Sequence, residues 1–190
     1  MKRSFFILPI FLLIMLMFLN CPADQTKNDE DDTTPVKRYV IGSIGPSGVG
    51  IVFYITDGGL HGLEAAPSDQ GASLTWSNII FILLGTTGTA IGTGMANSNA
   101  IISQDEHTES AAKVCRDYRG GGLTDWFLPS KDELNQLYLQ RIAIGEFAND
   151  NYWSSSEYSE YHSWYQHFNN GIQVNDVKYL LHRVRAVRAF

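Results

Sequence analysis

The chain has 190 residues, with 14 Lys and Arg against 20 Asp and Glu, for a net charge of −6 at neutral pH. This acidic balance argues against a nucleic-acid binder, which needs a basic footprint. Of its two cysteines, Cys21 lies at the end of a leader and Cys115 stands alone, so no intrachain disulfide framework is expected.

The first element is a leader. A cationic start, Met1-Lys2-Arg3-Ser4, precedes an almost wholly Phe, Leu, Ile and Met run from Phe5 to Leu19. That is the layout of an export signal, and the run is short of the roughly twenty residues a spanning helix needs. Phe18-Leu19-Asn20-Cys21 resembles a bacterial lipobox with relaxed residues before the cysteine, which makes Cys21 the expected lipid attachment site, carrying palmitate. Residues 21–38 follow as an acidic tether, with Asp24, Asp29, Glu30, Asp31 and Asp32 and no large apolar side chain before Val36. Removal of residues 1–20 takes away two cations and no acid, so the mature chain would carry −8. The expected location is the cell envelope outside the cytoplasm, on the outer membrane or cell surface, with the N-terminal lipid in the membrane.

Residues 39–190 suffice for one core and read as one α+β domain. Ile51–Thr56 is β-branched and aromatic, Asp57-Gly58-Gly59 is a turn, and His61–Ala66 completes a hairpin. Leu74–Ser77 reads as a short strand before a Gly- and Thr-rich loop, Gly85–Gly94. Ser103 with Glu106 forms a capping-box pattern opening a helix through Ala111, Ala112, Cys115 and Tyr118, which Gly120-Gly121-Gly122 ends. Ser130 with Glu133 opens a second helix carrying Leu134, Leu137 and Tyr138, with Gly145 as its stop. Strands return at Tyr152–Ser155, Ser163–Phe168, Ile172–Val177 and Arg183–Phe190, with Asn169-Asn170-Gly171 as a hairpin turn. His182, Arg183, Arg185 and Arg188 make the last strand locally basic.

Four kinds of catalytic constellation are wanting. Zinc has no His-Glu-x-x-His and no paired Cys, and His162 and His167, five apart on a strand, point to opposite faces. Cys115 sits among Ala111, Ala112 and Tyr118 as a small core residue. The Gly clusters at 42–50 and 85–94 lack the Gly-Lys-Ser/Thr ending and the third glycine of nucleotide loops. Glu64, Asp125, Asp132, Glu157 and Asp176 are carboxylates whose spacing in sequence says nothing of their separation in space. No enzyme is expected.

The density of rings between Tyr152 and Phe168 carries the functional expectation. Rings beside hydrogen-bonding groups stack on sugar faces while polar neighbours read hydroxyls, and alternate rings of a strand belong to a core. The candidate ligand-binding residues are Trp153, Glu157, Tyr158, Tyr161, Trp164, Asn169 and Asn170, with Tyr158 and Tyr161 expected to be exposed.

Several blocks carry a family resemblance: Gly48–Tyr54, His61–Pro67, Asp125-Trp126-Phe127-Leu128-Pro129-Ser130-Lys131-Asp132-Glu133-Leu134, Tyr152-Trp153-Ser154-Ser155-Ser156-Glu157-Tyr158 and Val184–Arg188. Together they resemble the Lcl C-terminal domain family, over nearly all of the chain from about Val40. The resemblance implies a domain of largely unknown function on secreted and surface proteins, related to the C-type lectin-like fold. It further implies adhesion to glycans and no known catalytic residues. The Gly-X-Y stalk of the family's namesake, the paired cysteines of the formylglycine-generating enzymes and the Trp-Asn-Asp calcium motif of sugar-binding lectins are all missing here. No cofactor is expected, calcium being the one metal left open. The expectation is a non-enzymatic binding and adhesion domain for a glycan or a host or matrix protein. The alternatives are an enzyme acting on envelope polysaccharide through an unlocated carboxylate pair, or a structural envelope lipoprotein.

Overall fold

Two consecutive tryptophan- and tyrosine-bearing positions organise the domain, because Tyr152 and Trp153 lie on opposite faces of one central strand and both are fully buried. The computed structural model describes residues 35–190; the leader, Cys21 and most of the tether lie outside the described residues. Val36–Phe190 forms a compact unit, and no described helix is long and apolar enough to cross a membrane.

Strands β1 (Ile51–Thr56) and β2 (His61–Ala65) form the expected hairpin, and β8 (Val187–Ala189) pairs with β2 to complete a three-stranded antiparallel sheet. A second sheet has β3 (Gly71–Leu74), β7 (His182–Val184), β4 (Asn151–Glu157), β5 (His162–His167) and β6 (Gln173–Val177) in that spatial order, with β4 and β7 parallel and the rest antiparallel. Helices α1 (Gly94–Ile102), α2 (Ala111–Asp117), α3 (Lys131–Leu139) and α4 (Arg141–Ile144) lie between the strands in sequence. The domain is α+β.

On one side of β4, Trp153 joins Trp76, Trp126, Ile101, Ala111, Ala112 and Cys115; on the other, Tyr152 joins Phe53, Leu134, Leu137, Phe168 and Val187. Because β4 is covered on both faces, its rings do not alternate between core and surface as a half-buried strand's would. The three serines of β4 serve as fasteners. Ser154 Oγ donates to the Trp164 carbonyl, Ser156 Oγ to the Gly88 carbonyl, and Ser155 Oγ accepts from Asn97 Nδ2. In the Trp-Phe-Leu-Pro-Ser block, Phe127 exchanges both backbone hydrogen bonds with Val187, and Ser130 and Glu133 form the full capping box of α3.

Five expectations need correction. The helix expected from Ser103 begins at Ser110, whose side chain accepts from the Lys113 N–H. Glu106 has a left-handed φ of 62° and Ser103 instead ends α1. Helix α1, which starts at Gly94 inside the expected loop, was hidden because its buried face is Gly94, Asn97, Ser98 and Ile101, mostly without apolar side chains. The strand expected at Leu74–Ser77 is Gly71–Leu74, and Trp76 instead donates its backbone N–H to Lys178. The last strand is two strands in different sheets, split where the buried Arg185 turns inward to Asp69. Nor is that strand a basic surface: Arg183 pairs with Asp69 and Asp150, Arg185 with Asp69, and Arg188 with Glu64 and Asp125.

Candidate functional site

At the end of β4 the chain turns through Tyr158–Tyr161 and returns as β5. Ser159 closes the turn by accepting the N–H groups of Tyr161 and His162 on its Oγ, while the Tyr158 and Ser159 N–H groups reach the His162 carbonyl. This tight closure turns Tyr158 and Tyr161 outward, 56% and 47% exposed. Trp164 stands half-buried on β5, with Tyr158 edge-on at 5.2 Å and the Lys131 ammonium 4.8 Å above its ring. Asn175 faces Trp164 across the β5–β6 pair, and Gln166 faces Gln173 one step along the same face. The amides are held in place, Gln166 Nε2 by Asn135 and Gln173 Nε2 by the Lys131 carbonyl. The result is a ledge of ring surface bordered by the partly exposed Asn175 and Gln173 and by one cation, Gln166 itself being fully buried.

The other predicted site residues do not join it. Trp153 is wholly enclosed and its Nε1 donates to the Leu74 carbonyl, so it belongs to the core. The Glu157 side chain is 2% exposed and binds Lys178, itself fully buried, at 2.7 Å; neither end of that pair reaches solvent. Asn169 and Asn170 are exposed but lie at the far end of β5, about 20 Å from Tyr161 by strand rise. There Asn170 Oδ1 accepts the Ile172 N–H and Gly171 takes a φ of 83°, which is turn construction.

A loop passed over in the sequence borders the ledge. Ile79-Ile80-Phe81-Ile82-Leu83-Leu84 reads as a buried run, yet Phe81, Ile82 and Leu83 are 69%, 58% and 57% exposed. Phe81 packs edge-to-face on Tyr161 at 5.9 Å. Glu157 accepts the N–H groups of Leu84 and Gly85, and Lys178 Nζ donates to the Ile82 carbonyl, so the buried ion pair holds this loop from behind. The only available sequence signal was charge: from Gln70 to Gln104 there is no Asp, Glu, Lys, Arg or His.

The remaining chemical candidates are structural. Cys115 is enclosed among apolar side chains, which pushes its thiol far above the usual range. Glu64 and Asp125 both grip Arg188, and Asp132 is apart from them on α3. Asp176 Oδ2 lies 3.3 Å from His182 Nε2, off line for a sound hydrogen bond, and burial of the imidazole between Trp153 and Tyr165 lowers its pKa. Among the described residues no three or more His, Cys, Asp and Glu side chains cluster as a metal site. A cavity of about 440 Å³ lies elsewhere, lined by Ile102, Lys113, Arg116, Asp117, Arg119 and Thr124 among others. Arg116 and Arg119 there donate to backbone carbonyls and form no ion pair among the described residues.

The domain thus carries two cores, an aromatic ledge beside an apolar loop, and Glu64, Asp69, Asp125 and Glu157 paired with cations. The chain belongs to the Lcl C-terminal domain family, whose model matches residues 66–188. The family has no established function. No curated protein matches the chain.

Proposed function

We propose that this is an envelope lipoprotein whose domain binds a glycan or a matrix protein on the ledge of Tyr158, Tyr161 and Trp164, without catalysis. One observation carries the reading. Of the seven rings between Tyr152 and Phe168, Tyr158 and Tyr161 are the two turned to solvent, and they sit beside Trp164, Lys131 and the partly exposed Asn175. Flat rings bordered by a polar side chain and a cation match the apolar faces and hydroxyl edges of a sugar. Screening of the chain on glycan and matrix-protein arrays tests this. Binding that Tyr158→Ala and Tyr161→Ala abolish while the melting temperature stays unchanged supports the reading. Full binding by both variants refutes it, as does turnover of a labelled polysaccharide without stable binding.

The cavity at Arg116 and Arg119 favours a second reading, an acidic sugar bound there, since two guanidinium groups without carboxylate partners present fixed positive charge. Arg119→Ala separates the two readings, because it weakens binding at the cavity and leaves the ledge intact. The anchoring part rests on Cys21: palmitate label present in the native chain and absent from Cys21→Ala supports it, and an unlabelled native chain reduces the reading to plain secretion.

A further inference from the structure

A strand at the margin of a sheet leaves half its backbone groups without a ladder, and three of the four margins of the two described sheets are closed by the chain itself. The outer side of β1 is taken by Gly42 and Ser43, which bond the Val52 carbonyl and N–H; β8 is taken by Phe127, which does the same with Val187. Strand β3 is bulged between Gly71 and Leu74, and the Leu74 and Thr75 carbonyls accept from Trp153 Nε1 and the Ala111 N–H. Strand β6 is the exception. Its antiparallel register with β5 runs without a shift from Gln173 to Val177. Hydrogen bonds beyond both ends, from the His167 N–H to the Ile172 carbonyl and from the Lys178 N–H to the Tyr161 carbonyl, set the same alternation. Val174 and Asp176 therefore turn their N–H and C=O groups to β5, and Gln173, Asn175 and Val177 turn theirs outward. Val177 is closed locally, its N–H by Asp176 Oδ1 and its carbonyl by the Leu180 N–H. The N–H and C=O groups of Gln173 and Asn175 find no partner among the described residues, and no proline, lysine or bulge blunts that stretch.

We propose that β6 pairs with β6 of a second copy of the chain, antiparallel about a two-fold axis at Val174, joining two five-stranded sheets into one. About that axis Gln173 lies opposite Asn175 of the second copy, and Asn175 opposite its Gln173. The open N–H and C=O groups of each chain thus meet those of the other with none left over. The two Val174 residues meet as the close, non-hydrogen-bonded pair, where β-branched side chains pack well. This match selects a second copy over a foreign strand. The open run ends at Val177 groups that are already bonded, so a longer strand gains no further ladder there, whereas the same short run reversed fits throughout. Pairing also uses the one open margin, so assembly ends at two. Because the axis stands perpendicular to the sheet, both ledges face the same way, and Gln173 of the second copy comes beside Asn175. The two Trp164 rings then stand roughly 16 Å apart, three strand spacings across and two residues along. A ligand with repeating units can engage both at once. An edge pairing this short buries little area and both copies are acidic, so the dimer is a weak one that strengthens with concentration and with salt.

Asn175→Pro isolates the pairing. The N–H it removes points outward, so the β5–β6 ladder keeps its bonds while the proline ring blocks a neighbouring strand. The test uses residues 22–190, which keep the whole compact unit and leave the enclosed Cys115 as the single native cysteine. Sedimentation equilibrium over a rising concentration series is expected to show monomer and dimer for the parent, shifted toward dimer by added salt. Asn175→Pro is expected to stay monomeric with an unchanged melting temperature. Under oxidation, Val174→Cys is expected to link into disulfide dimers and Asn170→Cys is not, although chance collision would favour the more exposed position 170. That comparison decides alone should the proline destabilise the fold. A parent that stays monomeric with no preference for linkage at 174 overturns the proposal, as does a dimer that persists in a folded Asn175→Pro, or assembly beyond two. The ledge reading stands or falls separately, since these assays contain no ligand.

Discussion

Lys178→Met probes the buried pair on which the ledge and the loop both depend. The Lys178 side chain is completely enclosed, and its ammonium meets Glu157 Oε1 at 2.7 Å, the Ile82 carbonyl at 3.1 Å and the Trp76 ring at 4.9 Å. Methionine preserves most of the stem's volume but leaves the Glu157 carboxylate buried with only the two N–H groups of Leu84 and Gly85. Since water screens neither partner, the loss should be that of an orphaned buried charge, about 3–5 kcal/mol. For a domain of this length that corresponds to a fall in melting temperature of about 6–20 °C. Urea unfolding followed by tryptophan fluorescence measures it, and limited proteolysis should show new cleavage between Ile79 and Gly85. The double variant Lys178→Met/Glu157→Gln removes the stranded charge and should recover a large share of the loss. A Lys178→Met loss below about 1 kcal/mol, or a double variant no better than the single one, would refute the reasoning.

Further perturbations separate scaffold from site. Trp153→Ala should cost about 3–5 kcal/mol by opening a cavity in the Trp76–Trp126 core, whereas Tyr158→Ala should change stability by no more than about 0.5 kcal/mol; thermal melts of the two variants decide this. Ser130→Ala breaks the α3 capping box and should cost about 1 kcal/mol in urea titration, with binding unchanged. Burial lowers the His182 pKa, so the folded state favours the neutral ring. Its contribution is therefore complete above the unfolded value of 6.5 and is lost as pH falls from there through the lower folded value. The stability difference between the native chain and His182→Phe should shrink on acidification below pH 6.5, and a pH-independent difference in urea midpoints would contradict it.

The sequence made visible whatever follows local rules. The β1–β2 hairpin, the Ser130–Glu133 box and the Asn169-Asn170-Gly171 turn each rest on a few adjacent residues, and each stands where it was expected. What escaped depends on contacts between distant segments. Helix α1 buries Asn97 and Ser98 because Gly88, Ser155 and Leu128 supply their hydrogen bonds, and no periodicity of apolar residues announces that. Glu157 reads as a ligand group until Lys178, twenty-one residues on, encloses it. Most of the residues that carry the family resemblance are construction: Trp126, Phe127, Trp153 and the three serines hold two cores and several loops together. Of the seven candidate ligand residues, geometry leaves Tyr158, Tyr161 and Trp164 at one accessible place, and adds Phe81, which the apolar run around it had concealed. A shared scaffold of this kind fixes the fold and leaves function to the loops on its surface.

The central claim, that ligand is held on the exposed rings rather than by the buried residues of the family blocks, is tested most directly by hydroxyl-radical footprinting with and without the best array ligand. The account predicts protection of Tyr158, Tyr161 and Trp164, with Trp153 unlabelled in both states. Unchanged labelling of those three rings, together with protection around Ile102 and Arg119, would contradict it.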